Sequence, residues 1–311
     1  MKVGVLATAL LVEAALLSAL AACGGSPPKP QLPSPLNEGI VAVGVKPYPS
    51  FFEDVNGTHI GFEVSARKKI LSHAGAQKSI PTQIWTNNWA SLLEKEQVHL
   101  VMGMISDSDD RATHFRLARS YLRTDIGLLT LANAEELNDV SELAGKTVCT
   151  VEETSAHATI DNLQQKGYSI HSVTAPSPTA CIQKVKNGEA YAYSTDRLIL
   201  MGFSTHNDSI DEGTQKSYYR VLNLSLGREQ HISIVLNKKD SQACQRLVDA
   251  IGKYVESNDW LADLRHEVID EYLERAPGDP DMTDQQVRDR FGPTVRDAER
   301  CTDPPPPNAV N

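Results

Sequence analysis

The stretch VHLVMGMISDSDDRATHFRLARSY, residues 98–121, runs from an apolar segment through an acidic turn to a cation. Residues 98–104 are apolar over strand length, as expected of a buried parallel strand. Ser106, Asp107, Ser108, Asp109 and Asp110 are turn and helix-cap residues, and Arg111 then opens a short helical pattern carrying Phe115 and Leu117. A strand thereby delivers a guanidinium to its own carboxyl edge. Ligands sit at that edge in open α/β sheets, and the planar fork suits a carboxylate. In isolation Arg111 reads more simply as the partner of a neighbouring aspartate in a surface ion pair.

The 311 residues exceed one ordinary core, so one large or two small domains are expected. A hydrophobic content of 41% with a net charge of -10 describes a soluble acidic globule. That balance supplies no basic surface for nucleic acid.

Around this stretch the pattern alternates. Residues 40–45 read as a strand, and Lys46-Pro47-Tyr48-Pro49-Ser50-Phe51 as a loop presenting aromatics, since two prolines bar helix and central strand. An Asn56-Gly57 turn precedes a helix over residues 62–71. A short helix at Trp89 is capped by Asn87 or Asn88, with Trp85 and Trp89 assigned to the core. A second set of units starts at Gly127. It has strands at 128–131 and 147–151, a helix opening after Glu152-Glu153-Thr154-Ser155, and a strand at 191–196 that enters a helix at Asp196, a natural N-cap. Residues 231–236 form a returning strand. Beyond it, Cys244, Leu247, Val248, Ile251 and Val255 share one helix face behind a cap at Asp240 or Ser241. Strand and helix in this rhythm imply βαβ units and parallel sheets.

Trp89 before the strand, Arg111 after the polar turn and Ser120-Tyr121 beyond it fall in the order found in the polar amino-acid-binding proteins of ABC importers. Tyr48-Pro49-Ser50-Phe51, Gly61-Phe62-Glu63, Gly145-Lys146, Thr154-Ser155, Gly188 to Asp196 and Asp259-Trp260 extend the match over about residues 38–273. The chain therefore resembles bacterial extracellular solute-binding protein family 3, of glutamate- or glutamine-binding type. The resemblance implies a two-lobed α/β fold of periplasmic-binding-protein type II, each lobe a mostly parallel sheet flanked by helices. Lobe 1 would take residues 38–126 and 233–275, lobe 2 residues 127–232, and a C-terminal extension residues 276–311. It also implies that Arg111 holds the α-carboxylate of an amino acid, Asp196 its ammonium and Phe51 its face, with Ser106, Thr154 and Ser155 around the carboxylate. Ser50 and Glu63 depart from the family's Pro and Asp, and His231-Ile232 from its Tyr-Gly. Glu153 replaces a glycine, which removes a residue at ease with positive φ and adds charge near the carboxylate site. Glu152 and Glu153 read equally as acids solvated at a helix N-terminus.

Lys2, a mostly apolar run over residues 3–20 and Leu20-Ala21-Ala22-Cys23 resemble a lipoprotein signal with its lipobox, interrupted by Glu13. Cleavage after residue 22 would leave a lipid-bearing Cys23 anchoring the protein outside the cytoplasmic membrane, with residues 23–37, rich in Pro, Gly and Ser, as a tether. A plain signal peptide or a single anchor is the alternative. Four cysteines remain. Cys149 on a strand and Cys181 at a nearby helix start are paired, which leaves Cys244 with Cys301. No C-x-x-C pair or neighbouring histidines support zinc. No metal or cofactor is expected.

Three functions follow. The first is a monomeric receptor that closes over a free amino acid and delivers it to an ABC permease. The second is an enzyme on the same fold, cyclohexadienyl-dehydratase-like, with Glu152 or Glu153 as general acid. The third is a lipoprotein sensor for a membrane partner. Lys46, in a first loop without acidic residues, favours glutamate or aspartate and then glutamine, although an isolated lysine is as readily solvated.

Overall fold

The computed structural model describes residues 35–37, 39–276, 281–293 and 301. The signal segment, Cys23, most of the tether and the final proline run lie outside the described residues. In chain order, β1 (Ile40–Val45) leads through β2 (Glu53–Val55) and β3 (Thr58–Ile60) to α1 (Phe62–His73), β4 (Lys78–Gln83), α2 (Trp89–Glu94), β5 (Leu100–Val101) and α3 (Asp109–His114). The long β6 (Phe115–Leu131) then enters β7 (Thr147–Val151), α4 (Ser155–Gln165), β8 (His171–Ala175), α5 (Pro178–Lys186), β9 (Ala192–Asp196) and α6 (Arg197–Thr205). The chain returns through β10 (Tyr219–Val221) and β11 (Leu226–Asn237) to α7 (Ser241–Glu256), α8 (Asn258–Leu264), α9 (Asp270–Arg275) and α10 (Asp284–Phe291).

Two parallel strand sets, β4-β1-β5 and β9-β7-β8, are bridged by the antiparallel pair β11 and β6. β6 pairs with β11 over residues 115–126 and with β9 over residues 126–129, so one strand serves both sets. The hydrogen-bonded path is consequently continuous through the crossovers. Around the second set, Ile126, Leu128, Val148, Ile160 and Leu226 form a buried cluster, and around the first Val43, Phe62, Ile70, Leu100 and Ile251 are fully buried. In α7 the buried face is Cys244, Leu247, Val248, Ile251 and Val255, as its apolar spacing requires.

Three local expectations change. Phe115 and Leu117 are not helical: α3 stops at His114, and Phe115 turns extended at φ -128. β6 is packed on both faces, so its apolar residues give no clean alternation and FRLARSYL fits either period. Trp85 is 50% exposed, whereas Trp89 is buried against Phe115 with ring centroids 5.1 Å apart. Phe51 is fully buried in the core, edge-on to Phe62 at 6.1 Å. The cause is backbone pairing. The amides of Phe62 and Glu63 donate to the carbonyls of Ser50 and Phe51, and Gly61, at φ 111, lies where a Cβ would come within 2.5 Å of the Phe51 carbonyl. Phe51 is thereby locked under the start of α1.

Both cysteine pairs are disulfides. Cys149–Cys181 joins β7 to α5, and Cys244–Cys301 pins the C-terminal extension to α7. In that extension α10 buries Val287 and Phe291.

A candidate ligand site at the strand ends

Four strand ends converge. The segment after β1 supplies Lys46 and Tyr48, the loop after β5 supplies Ser106 and leads to Arg111, the turn after β7 supplies Glu153, Thr154 and Ser155, and β9 ends on Asp196. These line one small pocket of about 20 Å³, which opens on a cleft of about 900 Å³ through the shared residues Lys46, Tyr48, Thr86 and Glu153. Convergence of loops at the carboxyl ends of parallel strands is the expected place for a ligand.

Arg111 is held in place from both ends. Its backbone amide donates to Ser108 Oγ at 3.2 Å, Nη1 donates to the Ser106 carbonyl at 2.5 Å, and the guanidinium lies 5.9 Å from the Trp89 ring centroid. Burial weakens its hold on the proton, and the Asp196 carboxylate opposes that. The charges of Asp110 and Asp107 act on it in the same sense as Asp196.

Asp196 is 6% exposed and stands at the N-cap of α6, yet its side chain makes no capping hydrogen bond. Its Oδ1 is buried without a partner. Burial pushes its pKa up to about 7, against the pull of Lys46 and Arg111. An unpaired buried acceptor is costly, so its retention points to an absent donor. Lys46 is 6% exposed, with Nζ 5.9 Å from the Tyr48 ring. Burial and then the like charge of Arg111 lower its pKa to about 8. Behind it Glu63 accepts from the Met104 amide and the Tyr121 hydroxyl, and burial holds its carboxyl toward the neutral form.

On the opposite wall, Thr154 caps α4 by accepting from the His157 amide at 3.2 Å, and it donates to the Val151 carbonyl at 2.6 Å. Ser155 Oγ donates to Ser106 Oγ at 2.9 Å. Glu153 has φ 60, which a glycine would adopt without strain, and is exposed at the boundary of pocket and cleft. Glu152 is exposed in the cleft, where its carboxylate accepts from Thr174.

Lys46, Ser106, Arg111, Thr154, Ser155 and Asp196 thus meet in one pocket, and Phe51 does not. The ring at the pocket is Tyr48, three residues earlier in the same loop, edge-on to Phe203 at 6.3 Å. Sequence reasoning also missed Thr86, Thr195 and Ile199, which carry no motif. Trp85 joins Tyr48, Phe203 and Tyr219 in lining the wider cleft. Among the described residues no cluster of three His, Cys, Asp or Glu side chains is placed to hold a metal ion.

Over 113 residues the chain is 27% identical to the L-cystine-binding protein TcyJ of Escherichia coli K12. That match covers 35% of this chain and 42% of the relative, so it spans less than half of the relative's length. The cysteine-binding protein of Campylobacter jejuni superposes with a TM-score of 0.65 at 16% identity, over 81% of this chain and 96% of its own. The amino-acid ABC transporter substrate-binding protein AbpA of Streptococcus pneumoniae, solved with L-arginine, superposes at 0.64 and 16% identity, over 77% and 98%. These likenesses establish the two-lobed α/β fold of periplasmic-binding-protein type II. The family model for bacterial extracellular solute-binding proteins, family 3, matches residues 40–268, and the chain belongs to that family.

Proposed function

We propose that the protein is an extracytoplasmic receptor that binds a polar amino acid between two lobes and delivers it to an ABC permease. Lobe 1 comprises residues 38–126 and 233–275, and lobe 2 residues 127–232. The observation that carries this reading is the unpaired Oδ1 of Asp196, buried in a pocket that also holds Arg111 and Lys46. A carboxylate on Arg111 and an ammonium on Asp196 satisfy both, and the Thr154-Ser155 turn closes the carboxylate end. Tyr48 takes the place assigned to Phe51 on the ligand's face. The ligands of the relatives, cystine, cysteine and arginine, support the amino-acid class.

Glutamate or aspartate remains the lead ligand, with glutamine next. Of the charged groups lining the pocket, Lys46, Arg111 and Asp196 point inward from buried or half-buried positions while Glu153 is exposed at its boundary, so the inner groups carry one excess positive charge that a ligand of net charge -1 offsets. An acidic side chain on Lys46 also restores the proton affinity that burial removes from it. The protein acts as a monomer without cofactor, tethered through lipid on Cys23. The enzyme reading is the weaker one. Glu152 and Glu153 are both exposed, which does not suit a general acid shielded in a cleft. A sensor that signals to a membrane partner would use the same ligand chemistry and differ only in what its closed form touches.

A thermal-melt screen against the twenty amino acids tests the class, since a ligand at 100 times its dissociation constant adds about 2.7 kcal/mol of apparent stability. With the amino acid so found, Arg111→Lys is expected to keep the fold and lose about 1.5 to 3 kcal/mol, roughly ten- to hundredfold in affinity by calorimetry. Binding at the parental affinity would return Arg111 to a structural role. Mass spectrometry of the mature N-terminus tests the lipid on Cys23.

A further inference from the structure

Arg197 follows Asp196 directly and is 2% exposed. Its guanidinium reaches both segments that cross between the strand sets. Nε donates to Asp125 Oδ1 and Oδ2 at 2.9 and 2.8 Å, on β6. Nη1 donates to the Leu222 carbonyl at 2.6 Å and Nη2 to the Leu224 carbonyl at 2.9 Å, on the segment leading into β11. Ser225 Oγ donates to the same Asp125 carboxylate. One side chain at the start of α6 therefore staples both crossovers together.

The staple sits beside the largest register slip of the β6–β11 ladder. Between the pairs Leu226↔Ile126 and Gln230↔Thr124 the register slips, with four steps on β11 against two on β6. Gly227 there has φ 66, and a Cβ on it would come within 2.9 Å of Thr159 Cγ2 on α4. A β-bulge loosens pairing and bends a strand, which makes this slip the point at which the crossovers would bend in any rotation. Burial works against the Asp125 carboxylate, yet the hydrogen bonds and charge of Arg197 hold it below the usual range. The fork thus faces a formal anion.

We propose that Arg197 is the positioning residue that couples capture at Asp196 to movement of the two crossover segments. It touches no ligand. It acts through Asp196, whose backbone it anchors, and through Asp125 and the 222–225 segment. Any rotation that separates β6 from β11 at the bulge pulls on a planar fork that also fixes the first turn of α6. The hinge and the ammonium-holding carboxylate consequently move as one body. The inference rests on the amino-acid-receptor reading, so the test has one arm that needs no ligand.

In the first arm, hydrogen–deuterium exchange is followed on the ligand-free parent, Arg197→Lys and Asp125→Asn. Lysine keeps the charge but cannot serve a carboxylate and two carbonyls together. Exchange at residues 122–127 and 222–230 is expected to rise at least tenfold while β1 and β7 stay within twofold of the parent. Uniform acceleration across the chain, or unchanged crossovers, overturns the proposal. In the second arm, L-glutamate binding is measured from pH 5 to 8. Arg197→Lys is expected to weaken it at least tenfold and to move its pH midpoint, which a merely structural role would leave in place. An unmoved midpoint also overturns the proposal. If Arg197→Lys does not fold, Ser225→Ala, at an exposed position, serves in both arms with smaller changes of the same sign. A parent that binds none of the twenty amino acids refutes the receptor reading, and the exchange arm still decides on the clamp.

Discussion

Ser155 Oγ donates to Ser106 Oγ at 2.9 Å, tying the first turn of α4 to the loop that leads to Arg111. The pocket behind that contact has about 20 Å³, room for roughly one water. On the receptor reading proposed above, an amino acid would enter this pocket only with the tie open. Ser155→Ala removes a neutral hydrogen bond of about 0.5 to 1.5 kcal/mol. Stopped-flow tryptophan fluorescence, with the amino acid the melting screen returns, is expected to show association faster by roughly two- to tenfold. Slower association would mean that the hydroxyl serves the ligand rather than the shut state.

Asp196 links stability and binding with opposite signs. Burial raises its pKa from 3.8 to about 7, so the folded protein holds this proton more tightly than the unfolded chain does. The stabilisation is complete below the unfolded value near 4 and is lost as pH rises through about 7. Asp196→Asn, always neutral, is expected to melt several degrees above the parent at pH 8, with the difference gone by pH 4. An ammonium ligand needs the ionised form, so parental affinity should fall about tenfold per unit below pH 7. Calorimetry in two buffers checks the proton released on binding. Equal melting of parent and Asp196→Asn at pH 8 would show that the carboxylate is not held at a cost.

The two disulfides differ in what they hold. Cys149–Cys181 and Cys244–Cys301 close separations of 32 and 57 residues, about 4 kcal/mol each in the loop-entropy account. Either double Cys→Ala variant is expected to melt about 10 °C lower. Only loss of Cys149–Cys181 should also weaken ligand binding, because α5 lines the wide cleft with Ile182, Gln183 and Lys186. Equal affinity losses in both variants would mean that the C-terminal extension reaches the site.

The position of Arg111 at a strand's carboxyl edge was legible from the local pattern of apolar run, polar turn and cation. Asp196, Thr154 and Ser155 came from the family resemblance of their segments, and Lys46 from the absence of acids in its loop; the structure brings all five to one pocket. Phe51 was misplaced because loop residues two or three apart exchange roles when the backbone pairs with a helix start, and the Ser50 and Phe51 carbonyls are taken by α1. Tyr48 faces the pocket instead. The crossover strand β6 was read only at its far end, since its first half, packed on both faces, lacks clean alternation. The Arg197 staple joins residues 25 to 72 positions apart, separations at which single-sequence spacing is silent.

Glu153 offers the last prediction. At φ 60 it occupies the left-handed region, which costs a residue with a Cβ about 1 to 2 kcal/mol. Glycine relieves that cost but gains about 0.5 to 1 kcal/mol of unfolded-chain entropy. Glu153→Gly should therefore stabilise the fold by roughly 1 kcal/mol, about 2 to 4 °C in melting temperature. It also takes a carboxylate from the boundary of pocket and cleft. L-glutamate should then bind several-fold more tightly and L-arginine more weakly, since the removed charge repels the one and attracts the other. Glu153→Gln separates the two effects, because it keeps the strained backbone and loses only the charge. Its melting temperature should match the parent while both affinities move as in the glycine variant. Affinities for both amino acids unchanged in Glu153→Gln would place this carboxylate in bulk solvent, as an acid that merely complements the dipole of α4.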